Sequence, residues 1–318
     1  MKKVWRKAWL GPMAALLGVY ALFAVLRPDT FARSLNLITM ARQTVVVGIA
    51  TAGMTMVIIS GGIDLSVGSS VALTTVVIAR ALNAGASPFV AALAGVAVAS
   101  LAGVLIGAAV GLLRITPFVV TLGAMTILRG AAKGIAHQQK IDADASGLDD
   151  LLGVLPAERS WMIFPPGVYV LAVVAVLSAA LLRYTKLGRH IFAIGSNERT
   201  ARLCGVEVET VKIAVYTISA ALAGLAGVME FATLTVGDPT DSIGLELDVI
   251  AAAVIGGASL LGGEGSIPGS LIGALLMTVI KTGCTHLGLA NWVEEVVTGI
   301  IIVVAVALDR LRHRRAES

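Results

Sequence analysis

Charged residues are scarce in this sequence. Only 14% of its 318 residues are Asp, Glu, Lys or Arg, whereas a soluble globular domain carries about 25%. Hydrophobic residues make up 57% of the chain, and the mean hydropathy is +0.91. This composition excludes an ordinary soluble domain and predicts an all-α membrane protein that crosses the bilayer several times.

Aromatic residues and cysteines are also few. Aromatics account for 5% of the residues, and Cys204 and Cys284 are the only two cysteines. Two cysteines so far apart exclude a disulfide framework and a zinc cluster, so we expect neither a disulfide nor a metal. Glycine, in contrast, occurs 35 times, which is typical of membrane helices that pack backbone to backbone.

The sequence also lacks the motifs of nucleotide binding and hydrolysis. It contains no G-x-x-x-x-G-K-[ST] loop, no nucleophile elbow, no H-E-x-x-H helix and no C-x-x-C pair. The chain therefore has no usual loop with which to hold ATP phosphates. We predict that it is not an enzyme and binds no cofactor, so that any ATP it depends on is hydrolysed by a partner subunit.

Ten apolar runs predict ten transmembrane helices in a single domain, residues 1–318. Most runs are close to the roughly 20 residues that cross a hydrocarbon core. In the fourth run Gly95, Ala99, Gly103, Gly107 and Gly111 recur at every fourth residue, which predicts a smooth stripe for close helix packing. The runs are 8–26, one that ends at 59, 65–82, 88–113, 117–132, 164–182, 213–236, 247–261, 267–286 and 292–308.

Charges between the runs predict the orientation. Basic residues concentrate at 2–7, 183–212 and 310–315, whereas acidic residues dominate 137–163 and 238–248. Because an even number of spans puts both termini and the 183–212 loop on one side, all three basic clusters become cytoplasmic, as the positive-inside rule requires. The acidic loop is then extracytoplasmic. Topology thus accounts for the net charge of +4, and we predict no nucleic-acid partner.

The segment SGGIDLSVGS, residues 60–69, separates the second and third runs. Its paired glycines can end a helix, and either Asp64 or Ser66 can cap a new helix that begins near Val67. A carboxylate in mid-membrane is costly, so we expect Asp64 in a protein-lined break or near an interface. The candidate pathway or gating residues here are Gly61, Gly62, Asp64, Ser66 and Gly68.

A second glycine-rich break, residues 256–269, separates the eighth and ninth runs. It reads either as an ordinary cytoplasmic turn or as a second gating element that meets the first at the inner mouth of a pathway. Five runs precede and five follow the acidic loop, so an inverted five-plus-five repeat is possible. The candidate residues of this break are Gly262, Gly263, Glu264 and Gly265.

The 183–212 loop predicts one short helix, Glu198–Cys204. Asn197 suits its N-cap, Arg202 suits its last turn, and Gly205 suits the left-handed residue that closes it. From local chemistry alone, this is an ordinary surface helix or a contact element for a partner. The candidate contact residues are Asn197, Glu198, Arg199, Arg202 and Gly205.

Three stretches resemble the permease subunits of bacterial ABC importers for ribose and related monosaccharides. They are SGGIDLSVGS with the preceding GMTMVIIS, GRHIFAIGSNERTARLCGV at 188–206, and LLGGEGSIPGSLIG at 260–273. The resemblance runs from about residue 35 to residue 308. It implies a multi-pass protein of the bacterial cytoplasmic (inner) membrane, surrounded by membrane lipid, that moves a sugar by alternating access.

The resemblance also implies partners. A cytoplasmic ABC ATPase uses ATP and Mg and contacts the helix at 198–204, and a periplasmic or extracellular sugar-binding protein delivers the sugar. The permease works as a dimer with a second copy or a sister permease.

Some alternatives stay open from the residues. A path for a neutral sugar favours hydroxyls, and the candidates are Thr51, Thr55, Thr121 and Thr126. An ion-coupled secondary transporter would use a buried acid such as Asp64, and Glu230 with Lys281 could form a pair across spans or could each lie near a helix end. An intramembrane enzyme is a further alternative, but the sequence contains none of the catalytic motifs named above. The particular sugar is open as well.

Overall fold

The chain is predominantly helical in a computed structural model that describes residues 10–145, 147–153 and 161–317. The basic residues at 2–7, and residues 146 and 154–160 of the predicted outer loop, lie outside the described part. The helices of this part are α1 Leu10–Leu26, α2 Ser34–Ile59, α3 Val67–Asn83, α4 Pro88–Gly111, α5 Pro117–Ile135, α6 Pro166–Tyr184, α7 Lys186–Ser196, α8 Glu198–Leu203, α9 Val208–Leu234, α10 Leu245–Ile255, α11 Ile267–His286 and α12 Asn291–Glu317.

Six of these helices are long and apolar enough to cross a membrane: α2, α4, α5, α6, α9 and α11. The helices α1 and α3 are apolar but shorter, at 17 residues each. The 27 residues of α12 end in the basic tail of the sequence. The architecture is therefore that of a helical protein with several membrane spans.

The predicted eighth span is wrong as a full crossing. In its place α10 has 11 residues, or about 17 Å at 1.5 Å per residue, roughly half of a 30 Å hydrocarbon core. Gly256 and Gly257 follow it, and Gly257 has a φ of +94°, which ends the helix. A small departure from an all-α fold is the antiparallel pairing of strand β1, Ile141–Asp142, with strand β2, Val236–Gly237.

The glycine stripe of α4 packs on α9, as the sequence predicted. A Cβ on Gly103 would lie 2.6 Å from the Tyr216 carbonyl oxygen, and one on Gly107 would lie 2.7 Å from the Ile213 Cα. Only glycine permits these two backbones to approach so closely. The same long α9 also packs on α2 and α3, so it forms the centre of the bundle.

Candidate functional site

The first helix break is organised by Asp64. After α2 ends, Gly61 adopts a φ of +82°. The Asp64 Oδ1 accepts hydrogen bonds from the Ser66 backbone nitrogen at 2.9 Å and from the Ser66 hydroxyl at 2.6 Å. Asp64 is 1% exposed, which fits the expected protein-lined break. Of the two capping candidates, Asp64 therefore stabilises the turn before α3. The Ser66 hydroxyl donates to Asp64 and does not cap the helix.

The second break touches the first. The backbone nitrogen of Gly263 donates to the carbonyl oxygen of Ile59 at 2.8 Å. A Cβ on Gly262 would lie 3.1 Å from the Cα of Gly61. The two glycine-rich segments that the sequence singled out, some 200 residues apart, thus meet at one end of the bundle.

A third segment completes this contact. A Cβ on Gly195, near the end of α7, would lie 1.7 Å from the Ile59 carbonyl oxygen and 2.5 Å from the Gly263 nitrogen. We call Gly61, Gly195, Gly262 and Gly263 the glycine junction, whereas the neighbouring Gly62 faces the Tyr216 side chain of α9. The junction joins α2, the 256–266 segment and α7 through backbone atoms, so displacement of any one of them must move the others.

The helix α7 was missed by the sequence reasoning. The Thr185 hydroxyl accepts from the Gly188 nitrogen at 3.0 Å and caps its start. Ile191 and Ile194 are buried on its inner face, with Leu187 partly buried beside them. That cap and the i, i+4, i+7 spacing of the apolar residues were the available signal.

The short helix α8 has the predicted N-cap and the predicted closing glycine. The Asn197 Oδ1 accepts from the Thr200 nitrogen at 2.9 Å, and Gly205 adopts a φ of +82°. The helix ends at Leu203, one residue before the predicted end. Leu203 is 89% exposed, and Arg199 is exposed beside it, so α8 presents an uncovered tip.

Ion pairs tie α8 to the start of α9. Arg202 pairs with Glu209, and Lys212 lies 2.8 Å from Glu198. The hydrogen bond to Glu209 raises the pKa of the Arg202 guanidinium above its ordinary value. Arg202 also lies 3.6 Å from Glu198 on its own helix. These contacts fix the orientation of α8 on the bundle.

The remaining candidates lie in three parts of the structure: the start of α3, the second helix break and two long helices. Gly68 faces the segment before α10, since a Cβ there would lie 2.4 Å from the Ser242 carbonyl oxygen. Glu264 and Gly265 belong to the second break, where the Glu264 carbonyl oxygen accepts from the Ser259 nitrogen at 3.1 Å. The four threonines lie on α2 and α5.

The four hydroxyl candidates lie in different surroundings. Thr51 and Thr55 are fully buried in α2, and Thr55 donates to the Thr51 carbonyl oxygen. The buried Thr121 lies 3.3 Å from the Ile63 carbonyl oxygen. Thr126 is exposed and donates to carbonyl oxygens of its own helix.

At the other end of the bundle, Lys281 does not pair with Glu230. Its ammonium lies 2.6 Å from Asp248 and 3.8 Å from Glu294, so it links α11 to α10 and α12. The pairing hypothesis is wrong, whereas the alternative that each residue lies near a helix end is confirmed. In the segment after α9, Asp238 Oδ1 accepts from the Thr240 nitrogen and hydroxyl.

These features define a helical membrane protein whose two helix breaks meet at one end of the bundle. The chain belongs to the family described as branched-chain amino acid transport system / permease component, whose model matches residues 36–306.

Its similarity to individual permeases covers almost the whole chain. It is 37% identical over 315 residues to the ribose import permease protein RbsC of Escherichia coli K12, which covers 98% of both chains. It is 37% identical to RbsC of Bacillus subtilis 168 over 302 residues, or 95% of this chain and 92% of that one. It is 34% identical to the D-allose transport system permease protein AlsC of Escherichia coli K12 over 294 residues, 92% and 89% of the two chains.

Proposed function

We propose that this chain is the permease subunit of an ATP-driven importer and carries a monosaccharide such as ribose across the inner membrane. The observation that carries the proposal is the near full-length similarity to permeases named for ribose and allose. The family description names branched-chain amino acids, but these individual relatives are named for sugars.

The partners follow from the same proposal. A cytoplasmic ATPase supplies the energy from ATP and Mg, because the sequence has no phosphate-binding loop. The uncovered tip of α8 is its contact, through Asn197, Glu198, Arg199, Arg202 and Gly205. A sugar-binding protein meets the opposite end, and a second permease copy or a sister permease completes the dimer.

The glycine junction is proposed to transmit the motion of the ATPase. Its member Gly195 lies two residues before Asn197, the N-cap of α8. A push on α8 therefore reaches the Gly61–Gly62 and Gly262–Gly265 breaks through backbone contacts rather than through flexible side chains. Because these breaks flank α2, α3 and α11, the push alters the inner end of the bundle and changes which side the pathway faces.

We also propose ten membrane segments, one of them the half-length α10, with both termini cytoplasmic and an inverted repeat. Two similar turns support the repeat. Asp64 accepts from Ser66 after the long α2, and Asp238 accepts from Thr240 after the long α9. The packing also corresponds, since α9 packs on α4 as α2 packs on α11, and α3 packs on α4 as α10 packs on α11.

The test is sugar uptake by cells that lack their own ribose importer. Expression of this chain with its ATPase and binding protein should restore uptake of labelled ribose or allose. An ATPase variant that binds but does not hydrolyse ATP should abolish uptake. Uptake that persists with this variant and instead follows an imposed proton or sodium gradient would establish the ion-coupled alternative.

A further inference from the structure

A polar cavity of about 440 Å³ lies at the end of the bundle opposite the glycine junction. It is lined by α2, α9, α11 and the residues around the start of α10. Its volume falls within the roughly 300–1,000 Å³ of sites for small molecules. Val47 is its deepest lining residue on α2, and about 18 Å of helix separates Val47 from Ile59 at the junction.

The lining is unusual for an apolar bundle. Basic and acidic side chains are nearly balanced in it, with one amide among them. A balanced set of donors and acceptors suits an uncharged ligand with several hydroxyls, each of which donates and accepts. The charged and amide residues of the lining are Arg42, Gln43, Glu230, Asp241, Asp248 and Lys281.

One of these groups has a buried donor without a partner, and another forms no ion pair, among the residues that the structure describes. The Nε of Arg42 is buried and has no hydrogen-bond partner in the described part of the chain. The carboxylate of Glu230 forms no ion pair among the same residues, while Lys281 is held by Asp248. A buried polar group without a partner is unfavourable. A ligand that accepts from Arg42 satisfies this donor, and a hydroxyl of the same ligand can donate to the Glu230 carboxylate.

The cavity is closed toward the junction. A Cβ on Gly53 of α2 would lie 2.8 Å from the Cα of Ser219 on α9, so the two backbones are in contact below the cavity floor. Gly53 lies between Val47 and Ile59 along α2. A solute in the cavity is thus separated from the glycine junction by packed helix.

We propose that this cavity binds the monosaccharide inside the permease, before the helices open toward the junction. Arg42 donates to one sugar hydroxyl, and Glu230 accepts from another. The identity of the ligand as a monosaccharide rests on the proposed function, but its class, a small neutral polyol, rests on the lining alone.

A protection experiment tests the site without the ATPase. Thr233 lines the cavity and is exposed. In the full chain in nanodiscs, with Cys204→Ser and Cys284→Ala, Thr233→Cys is labelled with a charged methanethiosulfonate reagent. Ribose or allose should slow this labelling in a saturable way. Ala84→Cys, in the exposed loop after α3, should label at the same rate with or without sugar.

Variants assign the effect to the cavity. Glu230→Gln and Arg42→Gln should each raise the protecting sugar concentration about tenfold, as expected for loss of one charged hydrogen bond. Asp29→Asn, which changes an exposed acid in the loop after α1, should leave it unchanged. Protection that is equal in all three variants would place the sugar elsewhere.

Failure of this site and failure of the proposed function are distinguishable. ATP-dependent sugar uptake without any protection of Thr233→Cys overturns the cavity site and leaves the importer intact. Saturable protection by sugar, with uptake that needs no ATPase, supports the site and overturns the importer.

Discussion

The segments of the glycine junction touch through their backbones because glycine has no side chain. A Cβ on Gly195 would meet the Ile59 carbonyl oxygen at 1.7 Å. Gly195→Ala should therefore force the helices apart, lower the free energy of unfolding by roughly 1–3 kcal/mol, and reduce transport more strongly than stability. Thermal unfolding in detergent and sugar uptake measure the two effects.

The control for this substitution is Gly134→Ala. Gly134 lies in α5, and nothing lies within 4 Å of a Cβ placed there. It should leave both unfolding and uptake near the level of the unchanged protein. Equal, small effects of the two substitutions would mean that the junction is not a tight contact.

Two substitutions of Asp64 distinguish the role of its charge from its role as a hydrogen-bond acceptor. Asp64→Asn keeps an oxygen that can accept from Ser66, whereas Asp64→Ala leaves a buried backbone nitrogen without its partner, at about 1–3 kcal/mol. We expect uptake to survive in the Asn variant and to fall sharply in the Ala variant. Uptake assays on membranes with matched amounts of protein decide the comparison.

The opposite pattern would favour the ion-coupled alternative. If Asp64→Asn abolishes uptake while the protein remains folded, the charge itself is required, and Asp64 becomes a coupling residue for an ion.

Local signals in the sequence were predictable, and long-range contact partners were not. The N-cap of Asn197 and the left-handed Gly205 depend on neighbours within a few residues, and both were predicted. The contact of Gly195 with Ile59 spans 136 residues and has no local signature. The same holds for Arg42 and Glu230, which face one cavity from different helices.

Among the elements, α8 is held in place by its ion pairs with α9. Arg202→Glu replaces attraction to Glu209 with repulsion. Because such exposed pairs contribute at most about 1 kcal/mol, unfolding and membrane insertion should change little, while ATP-driven uptake should be lost. Uptake, thermal unfolding and the amount of protein in membranes are the three readouts.

The matched control exchanges the two charges of the pair, so that the attraction is restored. Arg202→Glu combined with Glu209→Arg should recover part of the uptake if the orientation of α8 is what matters. No recovery would mean that Arg202 itself contacts the ATPase.

The closing residue of α8 gives a further prediction. Gly205 has a φ of +82°, and a side chain in the left-handed region costs roughly 1–2 kcal/mol. Gly205→Val should therefore distort the end of α8 and abolish uptake, with normal insertion. Normal uptake would exclude a coupling role for this helix end.

Elements were predictable where hydropathy and length agree. The long helices α2, α9 and α11 end close to their predicted bounds. The helix α10 was predicted too long, because an apolar run through Gly256 and Gly257 reads as one span although the glycines end the helix. The helix α7 was missed, because a basic loop of interrupted hydropathy hides an amphipathic helix.

For the whole molecule, the proposed orientation can be read from a native thiol. Cys204 is exposed and lies at the α8 end of the bundle, which is cytoplasmic in the proposed topology. In intact cells an impermeant maleimide should spare Cys204 and should label Asp149→Cys of the outer loop. Permeabilised cells should label both. Labelling of Cys204 in intact cells would invert the topology.

We propose that this permease moves a monosaccharide only when a separate ATPase drives it. The most direct experiment measures ATP hydrolysis and sugar entry in proteoliposomes that contain the permease and its ATPase. Each sugar of a panel is added outside, with and without the binding protein. We predict that one monosaccharide stimulates hydrolysis, only with its binding protein present, and enters in proportion to ATP consumed. Sugar entry without the ATPase, driven by an ion gradient, would contradict the account.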